Sequence, residues 1–291
     1  MKLARAAWLA FLAMPVLAEP SAREAALNGT TIRSVEEGSG RPVVFVHGGV
    51  SDHRSWEKQR ELVAARYRFI ALDQRYFGSA PWPDDGAGFS QATHIADLAA
   101  FLRSLEAGPI DLVAHSYGAV IALGVSVQHR ELVRRLLINE PPLPSVLEDP
   151  REQQLAQRER AELAVARAAA KAGDAAGATR AFVDWVNGKP GTFDALPHEL
   201  QAMHLDNART MALQLDPPPP APITCAQLKR LRMPVVITQG ERSRPFFRVI
   251  AERLHRCVSG SRLITIAGAE HRAPLQAPAL FNRALSSFLA P

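Results

Sequence analysis

The chain has 291 residues, which is enough for one large α/β domain or two small domains. Its hydrophobic content of 47% and charged content of 22% are ordinary for a globular protein. The net charge is +5, but basic residues are interspersed with acids, as in Arg151-Glu152, so the sequence excludes a nucleic-acid-binding arm.

Residues 1–18 have the layout of a secretory signal peptide. Lys2 and Arg5 precede an apolar run over 6–17, and Pro15 interrupts the helix just before a possible cleavage point. The run is too short for a membrane-spanning helix. We therefore expect a periplasmic or secreted protein with no stable membrane anchor after cleavage, and a cytoplasmic protein with a frayed N-terminal helix is the alternative. Removal of Lys2 and Arg5 would lower the net charge from +5 to +3.

Strand and helix patterns alternate over the first half of the remaining chain. Two strands are expected around Asn28-Gly29, and 42–46 is a continuous apolar run, typical of a strand buried on both faces. Further strands are predicted at 67–72 and 134–138 and from Ile110 onward, with helices at 52–65 and 93–105. This order predicts a doubly wound, mostly parallel sheet of the α/β class.

The alternation stops between residues 141 and 222. A long helix is predicted over 151–172 and a second over 174–186, followed by shorter helical segments without a strand pattern. Strands return at 235–239 and 262–267, with helices at 245–256 and 278–289. We therefore expect an α/β core formed by 19–140 and 223–291, and an inserted helical cap at 141–222.

The pentapeptide Ala114-His115-Ser116-Tyr117-Gly118 joins a buried strand to an apolar helix with almost no loop. A turn this tight needs one residue in a strained backbone conformation and small residues beside it, here Ala114 and Gly118. Ser116 would then project above the sheet as in a nucleophile elbow. A serine in an ordinary strand–helix loop is the alternative.

Other polar residues follow the predicted strands. They are His47-Gly48-Gly49, Asp73, Glu140, Gly240-Glu241 and His271. The carboxyl ends of parallel strands form one rim of a sheet, so these residues should meet Ser116 there. The histidines have no mutual spacing typical of a metal site, and we expect neither a metal nor a cofactor.

The order Ser, acid, His along this rim resembles the α/β-hydrolase fold superfamily, in its serine-nucleophile branch with a helical cap. The resemblance runs from about Asn28 to Leu289. Three more segments support it: the strand and oxyanion loop at 43–49, an incomplete D-x-R-G-x-G motif at 73–79, and the G-x-x-H motif at 268–271. It implies that His271 is the base for Ser116. The backbone N–H groups of Gly49 and Tyr117 would form the oxyanion hole, and His47 would organise its loop.

The acid of the triad stays open between two glutamates. The family most often places an Asp shortly after the strand that ends at Gly240, where this chain has Ser243. Glu140 ends the preceding strand, where some members, including haloalkane dehalogenases, carry their acid. We favour Glu140 and keep Glu241 as the alternative, although its place directly after Gly240 favours a sideways salt bridge.

The two cysteines are expected to meet. Cys225 precedes the strand at 235–239, and Cys257 ends the helix that follows it. A helix after a parallel strand returns to the strand's starting edge, so both cysteines should lie at the bottom of the sheet. We predict a disulfide if the chain is exported.

Together these features predict a serine hydrolase that cleaves a small or medium carboxylic ester through an acyl-enzyme on Ser116. A Ser-dependent carbon–carbon bond hydrolase and a cofactor-free peroxidase are alternatives on the same fold. A non-catalytic ligand-binding member is a third. The expected partner is a small-molecule substrate, and the oligomeric state is left open.

Overall fold

A single eight-stranded sheet forms the centre of the protein. The computed structural model describes residues 20–290, so the predicted signal peptide lies outside the described residues. The strands are β1 (Ser21–Leu27), β2 (Thr30–Glu37), β3 (Pro42–Val46), β4 (Arg68–Asp73), β5 (Ile110–His115), β6 (Val133–Asn139), β7 (Val235–Gly240) and β8 (Arg262–Ile266).

The strand order across the sheet is β1-β2-β4-β3-β5-β6-β7-β8. The pairs from β4 to β8 are parallel, whereas β1 with β2 and β2 with β4 are antiparallel. The predicted doubly wound, mostly parallel sheet is therefore confirmed. It brings the carboxyl ends of β3, β5, β6, β7 and β8 to one rim.

Helices cover both faces of this sheet. In chain order they are α1 (Glu57–Ala64), α2 (Gln91–Ser104), α3 (Ser116–Gln128), α4 (Pro150–Ala161), α5 (Ala164–Lys171), α6 (Ala175–Val186), α7 (His198–Asp206), α8 (Met211–Leu215), α9 (Cys225–Leu228), α10 (Pro245–Cys257), α11 (Ala273–Gln276) and α12 (Pro278–Leu289). Val43 and Phe45 of β3 belong to one apolar cluster with α1 and α12, while Val44 and Val46 belong to another with α2, α3 and α10. Burial on both faces explains why β3 is continuously apolar. Within 20–290, no helix is long and apolar enough to cross a membrane.

The helical insertion is confirmed: α4 to α8 lie between β6 and β7. The single long helix predicted over 151–172 is wrong, because the structure divides it into α4 and α5. The indole N–H of Trp185 donates to the carbonyl of Glu159 at 2.9 Å, and the N–H of Leu163 bonds instead to Arg160 at 3.2 Å. A tertiary contact thus ends α4. The limits of the cap as a separate domain, at residues 141 and 222, stay a prediction.

The disulfide is present. Cys225 begins α9 and Cys257 ends α10, and their Cα atoms are 5.1 Å apart with the sulfurs bonded. The contact lies at the edge of the sheet where β7 begins, away from the rim that carries Ser116.

Loss of this disulfide should destabilise the fold. Replacing Cys225 and Cys257 together with alanine should lower the free energy of unfolding by about 2–4 kcal/mol, because the bond closes a loop with a sequence separation of 32. Urea unfolding of the oxidised wild type and the double variant measures the difference. Reduced wild type is the control and should match the variant; equal midpoints for oxidised and reduced wild type would contradict the prediction.

Candidate active site

Ser116 occupies the turn between β5 and α3 with a left-handed backbone, φ +51°. Gly118 makes this turn possible: a Cβ there would lie 2.2 Å from the carbonyl oxygen of His47 and 2.6 Å from that of Val46. Only glycine allows α3 to start this close to β3. Ala114, which precedes the turn, is fully buried, and its small side chain leaves the turn undistorted. The local geometry is that of a nucleophile elbow.

The fold brings Ser116, His271 and Glu140 together from three separate parts of the chain. His271 Nε2 lies 2.9 Å from Ser116 Oγ, and His271 Nδ1 lies 2.7 Å from Glu140 Oε2. All three residues are buried. An ionised Glu140 accepts the Nδ1–H of the neutral ring, which leaves the Nε2 lone pair directed at the serine hydroxyl.

The backbone fixes Glu140 in this position. The residue directly follows β6 in a left-handed conformation, φ +45°. Its second oxygen, Oε1, accepts the N–H of Gly240 at 2.7 Å, and its own N–H donates to the carbonyl of Thr238 at 3.2 Å. β7 therefore holds the carboxylate that β6 supplies.

Glu241, the alternative acid, is not brought to the histidine. Its side chain is exposed, and Oε2 accepts the backbone N–H of Gly268 at 2.7 Å. This hydrogen bond to the loop after β8 takes the place of the expected salt bridge.

Two contacts that the sequence did not indicate orient His271. The Phe247 ring stacks on the imidazole with centroids 3.8 Å apart, and the Asn139 amide donates to the His271 carbonyl at 3.0 Å. The same amide also lies 2.9 Å from His115 Nδ1. Asn139, the last residue of β6, thus holds the backbone of His271, and Glu140, directly after β6, holds its ring.

Burial has opposite effects on the two titratable partners of the triad. It raises the pKa of Glu140 to about 8. Burial, together with the positive charge of Arg272, lowers the pKa of His271 to about 3, so the imidazole is neutral at neutral pH. Because they share a hydrogen bond, the two residues titrate as a pair.

The candidate oxyanion donors are the N–H groups of Gly49, after β3, and Tyr117, in the first turn of α3. Neither donates a hydrogen bond to another of the described residues. His47 organises the loop: its Nδ1 lies 2.8 Å from the carbonyl oxygen of Gly48, and its Nε2 accepts the N–H of Gln74 at 3.0 Å. Both donors are therefore held in place and unoccupied, as an oxyanion hole requires.

A cavity with an empty volume of about 420 Å³, including its open mouth, lies against Ser116. The helical insertion contributes Phe182, Val183, Val186 and His204 to its lining, and the core contributes Gly49, His115, His271, Arg272 and Leu275, among others. The walls are mostly apolar, with a few nitrogen-bearing side chains.

One group in the described part of the chain has ligand atoms spaced closely enough for a metal ion: Asp52, His53 and Asp73, within 4.8 Å of one another. Arg54 pairs with Asp52, and the backbone N–H and ring of His53 bond to Asp73 at 2.8 Å. These contacts within the protein already occupy the carboxylates.

Comparison with known proteins identifies relatives of this chain. A 2-hydroxy-6-oxo-6-(2'-aminophenyl)hexa-2,4-dienoic acid hydrolase from Metapseudomonas resinovorans is 35% identical over 114 residues, which cover 38% of this chain and 39% of that protein. An (E)-2-((N-methylformamido)methylene)succinate hydrolase from Acinetobacter baylyi is 32% identical over 112 residues, covering 38% and 41%. The chain thus spans about two fifths of the length of these curated relatives.

Among solved structures, carboxylesterase CesB from Bacillus subtilis superposes with a TM-score of 0.74 at 20% identity, covering 95% of this chain and 93% of that chain. At this identity the likeness shows the fold alone. The model of the alpha/beta hydrolase family matches residues 43–284, which is most of the chain. The chain therefore belongs to the α/β-hydrolase family.

Proposed function

We propose that the protein is a serine hydrolase that cleaves a small or medium carboxylic ester. The observation that carries the proposal is the hydrogen-bonded chain from Ser116 Oγ through His271 to Glu140, with distances of 2.9 and 2.7 Å. The unoccupied N–H groups of Gly49 and Tyr117 on the same rim support it.

In this proposal Ser116 Oγ attacks the ester carbonyl while His271 Nε2 takes the hydroxyl proton. The N–H groups of Gly49 and Tyr117 stabilise the negative charge on the carbonyl oxygen. His271 then gives the proton to the leaving alcohol as the ester bond breaks, and the acyl group remains on Ser116. Water, deprotonated by His271, attacks the acyl-enzyme; the bond between the acyl group and Ser116 Oγ breaks, His271 returns the proton to Oγ, and the carboxylic acid is released.

Labelling of the nucleophile and turnover test the proposal together. A fluorophosphonate should label the wild-type protein, and p-nitrophenyl esters of increasing chain length should be hydrolysed, with the shorter ones favoured by the small cavity. Absence of labelling in folded protein would contradict a reactive Ser116 and favour a non-catalytic binding member.

A carbon–carbon bond hydrolase is the second candidate, favoured by the 35% identity to the Metapseudomonas hydrolase. It would use the same serine, so labelling would persist. Labelled protein that hydrolyses none of the p-nitrophenyl esters would favour this candidate over an esterase.

We expect kcat/KM to fall as the pH drops through about 8. The active form has an ionised Glu140 and a neutral His271, and burial raises the pKa of this carboxyl to about 8, so activity is full above that pH and lost below it. In Glu140→Gln the carboxyl no longer titrates, and the acidic limb of the residual activity should move toward the lowered pKa of His271. pH–rate profiles of both proteins measure this, and an unmoved limb in the variant would contradict it.

We also propose that the mature protein is exported. The bond between Cys225 and Cys257 supports this, because disulfides persist mainly in oxidising compartments. Fractionation of cells that express the full chain tests it: a cytoplasmic protein that retains residues 1–18 would contradict export.

A further inference from the structure

Arg272, directly after His271, is a buried cation at the candidate active site. Its side chain lines the cavity beside Ser116, and the residue is only 7% exposed. Among the described residues no carboxylate oxygen lies within 4.0 Å of its guanidinium, although the charge of Glu270 acts on it from farther away. Glu270, its neighbour in the chain, instead accepts a hydrogen bond from Gln276 at 2.9 Å.

The guanidinium is only partly satisfied by hydrogen bonds. Nε donates to the Asn187 side chain at 3.2 Å, whereas Nη1 is buried and has no partner in the described part of the chain. Burial lowers the pKa of Arg272 to about 10 against the opposing effect of the Glu270 charge, so the guanidinium remains charged at neutral pH. A buried charge without a direct ion pair is costly unless a ligand completes it.

The histidines of the cavity place further polar atoms at its wall. His115 Nδ1 accepts from the Asn139 amide at 2.9 Å, which puts the ring proton of a neutral His115 on Nε2 as another donor. His204 Nδ1 donates to the Val50 carbonyl at 2.7 Å, so its buried Nε2 is an unpartnered acceptor. Besides its serine hydroxyls and the N–H of Gly49, the lining therefore offers one permanent cation and the neutral N–H of His115, and none of its residues is an acid.

We propose that this cavity binds esters that carry a carboxylate, with Arg272 as the counter-ion that recognises it. The inference rests on the proposed function and names its substrate class. The planar guanidinium, with donors in a fixed fork, matches the two oxygens of a carboxylate. The neutral Nε2 of His204 is an acceptor and suits a hydroxyl group on the same substrate.

The role of Arg272 is binding and not proton transfer. Asn187, at the C-terminal end of α6, holds the guanidinium by its Nε, so the helical insertion fixes the orientation of the fork.

Matched ester pairs test this substrate class. The first pair is methyl hydrogen glutarate, whose carboxylate lies on the acyl side of the ester, and its neutral counterpart dimethyl glutarate. The second pair is 4-acetoxybutanoate, whose carboxylate lies on the alcohol side, and its neutral methyl ester. Wild type should prefer the anionic member of at least one pair. In Arg272→Gln the ratio of kcat/KM between anionic and neutral ester should fall at least about 30-fold, the low end of the loss when one partner of a buried charge pair is removed.

Arg230→Gln is the matched control, because it removes the same charge from an exposed position just after α9, outside the cavity. It should keep the wild-type ratio. Arg272→Lys retains the charge but lacks the fork, and it should show an intermediate ratio. This variant replaces Arg272→Gln in the test if Arg272→Gln does not fold. A wild-type protein that prefers the neutral member of both pairs would overturn the proposal while leaving it an esterase.

Calorimetric titration of Ser116→Ala with glutarate separates binding from catalysis. Glutarate should bind this variant, and binding should be lost when Arg272→Gln is added. Such binding without hydrolysis of any ester would support the carboxylate site while the esterase proposal fails. Absence of glutarate binding to folded Ser116→Ala would overturn the carboxylate site.

Discussion

Replacing Ser116 with alanine should lower kcat by about 10⁶-fold and abolish fluorophosphonate labelling, the effect known for removing a serine nucleophile from a triad. The alanine keeps the shape of the elbow but has no oxygen for the attack, and the 2.9 Å hydrogen bond between Ser116 Oγ and His271 Nε2 is lost with it. Steady-state kinetics with a p-nitrophenyl ester and labelling of the purified protein measure the two losses.

Ser126→Ala is a matched control for this variant. Ser126 lies on the same helix α3 and is fully buried, but its hydroxyl bonds to the Ala122 carbonyl at 2.8 Å. We expect Ser126→Ala to retain labelling and turnover. Labelling that survives in Ser116→Ala would mean that another residue is the nucleophile.

Replacing Glu140 with glutamine should lower kcat by about 10⁴-fold, the size of the loss when a triad acid becomes an amide. The amide can donate to His271 Nδ1 and so favours the tautomer whose proton lies on Nε2, where it faces Ser116 and cannot accept the hydroxyl proton.

Glu241→Gln makes the same chemical change in the other candidate acid. Its carboxylate binds the Gly268 backbone on the surface, so the variant should keep activity within about threefold of wild type, as is usual for exposed substitutions. Comparison of kcat for both variants on one ester decides between the two acids. A greater loss at Glu241 would contradict the role we give to Glu140.

The fold could be predicted from the sequence because its signals are local. Continuous apolar runs mark strands buried on two faces, as in β3, and the lack of such runs between β6 and β7 marks the insertion. The break between α4 and α5 could not be predicted, since it depends on the Trp185 indole reaching the Glu159 carbonyl from another helix.

The candidate site likewise combines features that the local sequence predicts with features that depend on tertiary contacts. The tight turn at Ser116 constrains its own neighbours, and the small residue at Gly118 is required by the passage of β3 beneath it. The choice between Glu140 and Glu241 depends on which carboxylate the fold turns toward His271, and adjacent strand ends do not specify that. The sequence indicated no binding role for Arg272 or His204, because that role depends on buried polar atoms without partners, which only a three-dimensional structure reveals.

The position of Glu140 at the end of β6 leaves the segment after β7 available for another task. Arg244, in that segment, pairs with Glu159 at 2.8 Å and with Glu162 at 2.5 Å, both at the end of α4. It attaches the insertion to the core from the residue after Ser243, the position at which the family resemblance would have placed the acid. Substitutions there should therefore change how quickly substrate enters and product leaves, while the proton transfers at Ser116 proceed at their own rate.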